Sequence, residues 1–460
     1  MTEIESNSVI ASERSLSEVE AERAKQSSKQ KWDCFGYRFA MTNWLTEEIS
    51  GAPLVVFRVA FGVLLLFSLI RFWANGWINQ FYVQPKFFFP FYGFEFVKPL
   101  NETAIYTVFS LMIIATLFII SGYFYRIALI VFFLLFTYVE LIDKTTYLNH
   151  YYFISLVSFS LCFLPLKNRF VPRWTIFIIQ LQMAIVYFYA GIAKINYDWL
   201  INAMPLRIWL TTKSHIPVVG FLFDEKITAY IFSWFGMFFD TFIAFFLFNK
   251  KTVKYAYILV VIFHVLTAIL FPMIGVFPFV MIVGATIFLP AEFHEKLLRK
   301  FNKQFAISKK SEVTAHYPLP IAYCLLPFFL IQILFPLRSH FYAGNLFYHE
   351  QGFRFSWRVM LMEKAGIVFF RVKDANGKMI GVNNRDFLTR QQEFQMRTQP
   401  DMILQFAHHL AEVYKTDEVY AESYVSVNGH GSKLMIDSTV NLAKEKDGFG
   451  AKKWILSDYE

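Results

Sequence analysis

The sequence predicts a mainly α-helical, polytopic membrane protein with a small extracytoplasmic α+β domain at its C-terminus. Of its 460 residues, 56% are hydrophobic and 20% are aromatic, but only 17% are charged. A soluble domain is nearer a quarter charged. Several windows reach the roughly 20 apolar residues that a bilayer-spanning helix needs. Three regions follow from these patterns: a tail with an interfacial helix (1–50), a transmembrane bundle (51–337) and an outer domain (338–460).

The first 50 residues have no apolar core of the kind that marks a signal peptide. Residues 1–30 are polar and mixed in charge, which predicts a disordered cytoplasmic tail. The stretch KWDCFGYRFAMTNWL then mixes aromatic and basic residues, as an interfacial helix does.

The bundle contains about nine candidate spans. The fourth and eighth are short, which favours a tilted or partly re-entrant course. The predicted bounds are Pro53–Phe72, Ala104–Gly122, Ala128–Ile142, Tyr151–Leu164, Trp174–Ile195, Ile227–Phe248, Tyr255–Phe271, Ile274–Leu289 and Ile321–Leu337.

The distribution of lysine and arginine predicts the orientation. With a cytoplasmic N-terminus, the loops that fall inside are rich in these residues, and EKLLRKFNKQFAISKK is the most basic segment of the chain. This positive-inside pattern places residues after about 338 in the periplasm or lumen. It also accounts for much of the net charge of +9, so a nucleic-acid partner is not expected.

The outer domain has its own periodicities. Residues 353–361 alternate between apolar and polar side chains, which predicts a strand. Asn376-Gly377 lies between two apolar runs and predicts a hairpin. Thr398, Pro400 and Asp401 supply a cap, a proline and an acid for a helix that extends to about Tyr414. The segments ESYVSVNG and SKLMID predict two more strands.

Lys194 is the first candidate for chemistry, because it ends the apolar run FIIQLQMAIVYFYAGIAK. Charged groups inside a membrane are costly and usually functional, and burial favours the neutral amine, which is a base. The alternative is a lysine that reaches the interface and pairs with Asp198, one turn further on.

Other polar residues are expected on the same side of the membrane. They include the Asn149-His150 pair, together with His264 in the seventh span and His340 after the ninth. For each histidine alone, a hydrogen-bonded packing role is the competing interpretation. Two further intramembrane charges, Arg58 and Asp240, predict an ion pair between the first and sixth spans. No histidine or cysteine spacing predicts a metal site.

At these residues the sequence resembles the vitamin K-dependent gamma-glutamyl carboxylases and their microbial relatives, which share the HTTM domain. The matching segments run in order through the chain: PLVVFRVAFG, GYFYRI, LIDKTTYLNH, VYFYAGIAKINYDWL, FHVLTAILF, RSHF, GFRFSW, QPDMILQFAHHLAEVY, YVSVNG and MIDSTVNLA.

The resemblance implies an enzyme that uses vitamin K hydroquinone, of the phylloquinol or menaquinol type, with O2 and CO2 as co-substrates and no metal. The hydroquinone is oxidised to an epoxide, and this step drives the carboxylation of glutamate side chains in a peptide or protein. Lys194 falls on the family's catalytic lysine and would remove the hydroquinone's proton. His150 falls on its functional histidine and, with Asn149, would stabilise charge during carboxylation.

The resemblance gives four further residues binding roles. His264 and His340 would make polar contacts in the pocket for the hydroquinone. Phe353 and Trp357 lie where the family contacts the glutamate peptide. Membrane lipid is the other expected partner.

The chain also departs from the animal enzymes. It ends at Glu460, so a microbial homologue without their C-terminal extension is expected, and it has Ala193-Lys194 where they have two lysines. One alternative function is a quinone- or lipid-binding membrane protein on the same scaffold, without carboxylase activity. A more remote one is a haem carrier that uses His150 and His264.

Overall fold

The computed structural model describes residues 43–301 and 319–457. The predicted tail and most of the predicted interfacial helix lie outside these ranges, as does part of the basic segment after Phe301. The helices of the N-terminal part are α1 (Ala52–Ala74), α2 (Glu102–Ser121), α3 (Tyr125–Ile142), α4 (Asn149–Cys162), α5 (Arg173–Ala193), α6 (Lys226–Phe248), α7 (Val253–Leu270), α8 (Phe277–Ala285), α9 (Ala291–Phe301) and α10 (Leu319–Leu334), with short turns at Tyr197–Leu200 and Leu206–Thr211.

The described residues form a multi-pass membrane protein with six helices long and apolar enough to cross a bilayer, namely α1, α2, α3, α5, α6 and α7. The count becomes seven if α8 and α9, which meet at a bend of 110°, form one broken span. Helix α4 has 14 residues and therefore covers about 21 Å, short of a hydrocarbon core of roughly 30 Å. The prediction of about nine spans is therefore not confirmed, although each predicted span contains a helix.

The predicted ion pair between Arg58 and Asp240 is wrong. The side chain of Arg58 is buried, but it does not pair with Asp240. Its guanidinium donates to the carbonyls of Ile119 and Ile120 at the end of α2 and to that of Leu166. The last carbonyls of a helix have no partner within the helix and carry its negative dipole end, so a cation is well placed there.

The C-terminal domain contains the strands β3 (Lys364–Lys373), β4 (Met379–Val382), β5 (Val419–Val427) and β6 (Lys433–Leu434), and its main helices are α11 (Arg390–Met396) and α12 (Pro400–Tyr414). The four strands form an antiparallel sheet in the order β4-β3-β5-β6. The other two strands, β1 (Glu48–Ser50) and β2 (Phe170–Pro172), pair beside the bundle.

Most local predictions for this domain are confirmed. The hairpin joins β3 to β4, with Gly377 at a φ of +79° that favours glycine. Helix α12 has the predicted bounds, but its N-cap residue is Gln399 rather than Thr398. Of the two later strand segments, ESYVSVNG overlaps the second half of β5 and SKLMID contains β6.

Residues 352–361, which we name the strap, are not the predicted strand. Phe355, Trp357 and Met360 all have positive φ angles, of 60°, 57° and 48°. Such angles are uncommon for residues other than glycine and are incompatible with a regular strand. The alternation has another cause: Trp357 is buried against Tyr152, with ring centroids 4.9 Å apart, while the polar residues between the aromatic ones bond to the surrounding loops.

The two parts of the molecule are joined by buried polar contacts. Lys144, after α3, donates to Asp401 at the start of α12 over 2.7 Å, and Arg354 of the strap binds the same carboxylate at 2.7 Å. Burial alone would raise the pKa of Asp401, but these two cations hold it well below its usual range. Beside them, Gln392 of α11 donates to the buried Asp143 over 2.8 Å.

Asp143 makes the stability of this junction depend on pH. Burial raises its pKa to about 6, against the opposing hydrogen bonds from Thr145 and Gln392. Its unfolded pKa is about 3.9, so the folded state holds the proton more tightly. The stabilisation is therefore complete below about pH 4 and is lost as the pH rises through 6, by about 3 kcal/mol in total. We expect Asp143→Asn to remove this part of the pH dependence of Tm. Parallel Tm curves for the variant and the wild type between pH 4 and 8 would contradict the assignment.

Candidate active site

Two helices of the bundle, α5 and α6, approach each other closely at Gly191. A Cβ atom at this glycine would lie 2.4 Å from the backbone nitrogen of Thr241, closer than real atoms pack. Small residues at such crossings let the backbones of membrane helices meet. Helix α5 ends at Ala193, and Lys194 follows as its C-cap residue, so this crossing sets the position of the lysine relative to α6.

The crossing supports a comparison of two glycine variants. We expect Gly191→Ala to separate α5 from α6 and to cost about 1–3 kcal/mol, as overpacking does. Gly236→Ala, on α6 one turn before Asp240, is the control, because its new methyl group would lie 3.8 Å from Trp199, an ordinary contact. It should leave Tm unchanged or raise it. Equal effects of the two variants on Tm in detergent would refute the close approach.

Lys194 is buried at this crossing, with 6% of its side chain exposed. Its amine donates to the carboxylate of Asp240 over 2.8 Å and to the carbonyl of Ala190 over 3.0 Å. It also lies 5.3 Å from the centre of the Trp199 ring. The alternative pairing with Asp198 is wrong, because that carboxylate instead accepts hydrogen bonds from Asn202 and Asn428.

Lys194 faces a cavity of about 210 Å³ between α5, α6, α7 and α8. Apolar and aromatic side chains form most of its wall. Ile231, Phe235 and Leu266 are also well exposed on the apolar outer surface of the helices. The cavity therefore lies behind a part of the helix surface that faces lipid.

The polar groups of the cavity wall are few. Besides Lys194 and Asp240 they include Tyr187, His264 and Thr267. The Tyr187 hydroxyl and His264 Nε2 are 3.0 Å apart and share a hydrogen bond. His264 Nδ1 is buried and has no hydrogen-bond partner among the described residues. An unpaired buried nitrogen is costly unless a ligand satisfies it.

Two family comparisons match almost all of the described chain. The HTTM domain matches residues 47–293, which contain the bundle and its cavity. The lumenal domain of the vitamin K-dependent gamma-carboxylases matches residues 319–460. The chain belongs to the vitamin K-dependent gamma-carboxylase family. No solved structure matches it.

In this carboxylase-family chain, the predicted site residues do not all meet in one cavity. Lys194 and His264 line it together, but His150 is outside its lining. His150 is buried at the start of α4, with its ring 6.0 Å from that of Phe277. Phe277 in turn lines the cavity and lies 5.8 Å from His264, so its ring is close to both histidines.

Asn149 connects its helix to the strap. Its amide donates to the carbonyl of Arg358 over 3.1 Å, and its carbonyl accepts from Tyr147. The next carbonyl of the strap, that of Val359, is 3.5 Å from the Lys194 amine. The strap thus links the Asn149-His150 turn to Lys194, and Val359 and Met360 form part of the cavity wall.

The remaining predicted residues of this family member lie elsewhere. His340 is exposed and lines a separate groove, away from Lys194. Trp357 is fully buried and lines none of the described cavities, so a contact with a peptide would require the strap to move. Phe353 is partly buried below the guanidinium of Arg358, at 5.9 Å.

The sequence does not predict two residues of the cavity wall. It suggests Arg58 as the partner of Asp240, and it gives no indication of a role for Tyr187. Gly191 could have indicated a close neighbouring helix for α5, but it does not indicate that Asp240 of α6 is the partner of Lys194. Tyr187 carries no such signal, since its hydroxyl is paired across to α7.

Proposed function

We propose that the chain is a vitamin K-dependent gamma-carboxylase-like membrane enzyme, which couples the oxidation of vitamin K hydroquinone by O2 to the carboxylation of glutamate side chains. The observation that carries the proposal is the buried amine of Lys194 in the wall of an apolar cavity behind a lipid-facing surface. The N-terminus would be cytoplasmic and the C-terminal domain periplasmic or lumenal, in agreement with the basic loops.

The cavity fits the ring of a hydroquinone. An apolar cavity of about 150 Å³ holds benzene, so 210 Å³ has room for a ring headgroup but not for a long isoprenoid tail. The tail would leave between Ile231, Phe235 and Leu266 into lipid. When bound, the hydroquinone would supply the reducing equivalents whose transfer to O2 drives removal of the γ-proton of glutamate.

Lys194 and Asp240 would act as one proton-accepting pair. With the amine neutral, the pair of amine and carboxylate would carry one negative charge. Transfer of a phenolic proton from a bound hydroquinone would leave a neutral ion pair of Lys194 and Asp240 and would move the negative charge to the ring oxygen. Asp240 would thus stabilise the product of the transfer, and it holds the amine in place through the 2.8 Å hydrogen bond.

Other residues of the site would orient the ring. His264 Nδ1, which has no partner among the described residues, would bond an oxygen of the hydroquinone, and Tyr187 holds the imidazole through Nε2. His150 and Asn149 would stabilise charge at the carboxylation step, on the far side of Phe277. The aromatic wall excludes water, which would otherwise protonate a reactive base.

The test measures both products with purified protein in detergent. We expect hydroquinone-dependent epoxide and labelled CO2 in a glutamate peptide, in constant ratio. Labelled peptide without hydroquinone, or neither product under any condition, would overturn the proposal.

One observation favours the second candidate, a quinone-binding protein without carboxylase activity. The Lys194 amine donates to the Asp240 carboxylate over 2.8 Å, and a lysine held there as an ion pair has no free electron pair with which to accept a proton. This candidate predicts saturable quinone binding without oxygen consumption. An oxygen electrode distinguishes it from the carboxylase, because only the carboxylase would consume oxygen.

A further inference from the structure

The segment that follows Lys194 forms part of the cavity wall and also contacts the C-terminal domain. We name residues 197–211 the roof, because Trp199, Leu206 and Trp209 of this segment line the cavity. Its buried residues pack in the same hydrophobic cluster as the core of the C-terminal domain. The reaction steps described above give the roof no role.

Two hydrogen bonds connect the roof to the end of the sheet. The indole Nε1 of Trp209 donates to the carboxylate of Glu363, just before β3, over 2.6 Å. The carboxylate of Asp198 accepts from the side-chain amide of Asn428, just after β5, over 2.9 Å. Glu363 and Asn428 also bond to each other, because the backbone nitrogen of each donates to an oxygen of the other, over 3.0 and 2.8 Å. They therefore form one unit that holds the roof near both of its ends.

The turn after β5 packs directly on the roof. A Cβ atom at Gly429 would lie 3.3 Å from Cδ1 of Ile208 and 3.8 Å from Cε of Met204. The next residue, His430, lies 3.0 Å from the carboxylate of Asp198. The sheet end and the roof are thus in contact along the length of the roof.

Trp209 transmits this contact to the cavity. Its ring lines the cavity and packs edge-on against Phe271, another wall residue, with centroids 5.8 Å apart. An indole can only donate a hydrogen bond, and one to a carboxylate is stronger than one to a neutral acceptor. Side chains occupy separate rotamers, so the bond to Glu363 selects one position of a large ring in the wall.

We propose that Glu363 and Asn428 are positioning residues for the Lys194 cavity. They hold the roof, and Trp209 in particular, in the shape that fits a hydroquinone ring. The identity of this ligand rests on the proposed function. Neither residue is part of the cavity lining, so an effect of either on quinone binding must pass through the roof.

Binding of quinone can be measured without turnover. The probe is radiolabelled menadione, a naphthoquinone without a tail, bound saturably to the purified protein in detergent. We expect Glu363→Gln to weaken its binding by about 10-fold, the lower end of what a hydrogen bond to a charged group contributes. Trp209→Phe keeps an aromatic ring but removes the donor, and should weaken binding to a similar extent. The double variant should be no weaker than the weaker single variant, because both changes break one link.

Two further variants complete the test. Asn428→Asp keeps the acceptor for Glu363 but places a second carboxylate beside Asp198, so it should also weaken menadione binding. Glu350→Gln is the control, because it removes the partner of Lys364, the residue next to Glu363, at a site outside the cavity lining. It should lower Tm but change menadione affinity less than about threefold, as independent sites do.

The inference is refuted by unchanged menadione affinity in both Glu363→Gln and Asn428→Asp, by additive losses in the double variant, or by an equal loss in Glu350→Gln. A wild type without saturable menadione binding would refute it together with the hydroquinone site. If the wild type makes no epoxide but binds menadione in the expected dependence on Glu363 and Trp209, the roof assignment stands and the carboxylase function fails.

Discussion

Replacing Lys194 with methionine is expected to lower hydroquinone epoxidation at least about 100-fold, the lower end of the contribution of a general base. The methionine fills similar space but cannot accept the phenolic proton. It also leaves Asp240, which is nearly buried, without its partner. Breaking a buried pair on one side costs about 3–5 kcal/mol, so Tm should fall as well. Epoxide formation and thermal unfolding in detergent measure the two effects.

The two effects can be separated by a double variant. Lys194→Met with Asp240→Leu removes both charges, and such a replacement of a buried pair is often neutral or stabilising. We expect Tm to return to about that of the wild type while epoxidation stays lost. Recovery of epoxidation in the double variant would show that Lys194 has a structural role and is not the base.

The second large effect concerns the junction between bundle and C-terminal domain. Asp401→Asn leaves Lys144 and Arg354 without their shared counter-ion, and the side chain of Lys144 is only 3% exposed. Asp401 itself is about one-third exposed, so solvent screening reduces the loss to about 2–3 kcal/mol. We expect a lower Tm and easier proteolysis between the two parts.

The pH dependence follows from the same carboxylate. The pKa of Asp401 is depressed in the folded state, so its stabilisation is present above about pH 4 and is lost as the pH falls further. The control is Glu422→Gln, which breaks an exposed pair with Arg371 and should cost less than about 1 kcal/mol. Equal Tm losses for the two variants would mean that the Lys144–Asp401–Arg354 cluster does not stabilise the junction.

Local patterns explain what could be predicted for the site. The apolar run before Lys194 indicated a helix end inside the membrane, and the lysine is indeed the C-cap residue of α5. The partner of Lys194 could not be predicted in the same way, because Asp240 lies 46 residues away on another helix. The assignment of Arg58 to Asp240 failed for this reason: composition shows that a charge needs a partner, not which helix supplies it.

The strap shows the same limit. Its alternation of aromatic and polar residues has the period of a strand, but the side chains contact different parts of the molecule. Trp357 packs on Tyr152 of α4, and Arg358 donates to Ser339 after α10. A periodicity analysis assumes one face for burial and one for solvent. Residues enclosed on all sides at a junction break that assumption.

The amino-acid order alone determined the membrane class, the β3–β4 hairpin and helix α12, because hydropathy, Asn-Gly and helix-start signals act over a few residues. The three-dimensional packing decided which charges pair and which histidine shares the space with Lys194. These outcomes depend on distances between helices and loops that the chain brings together from positions up to hundreds of residues apart.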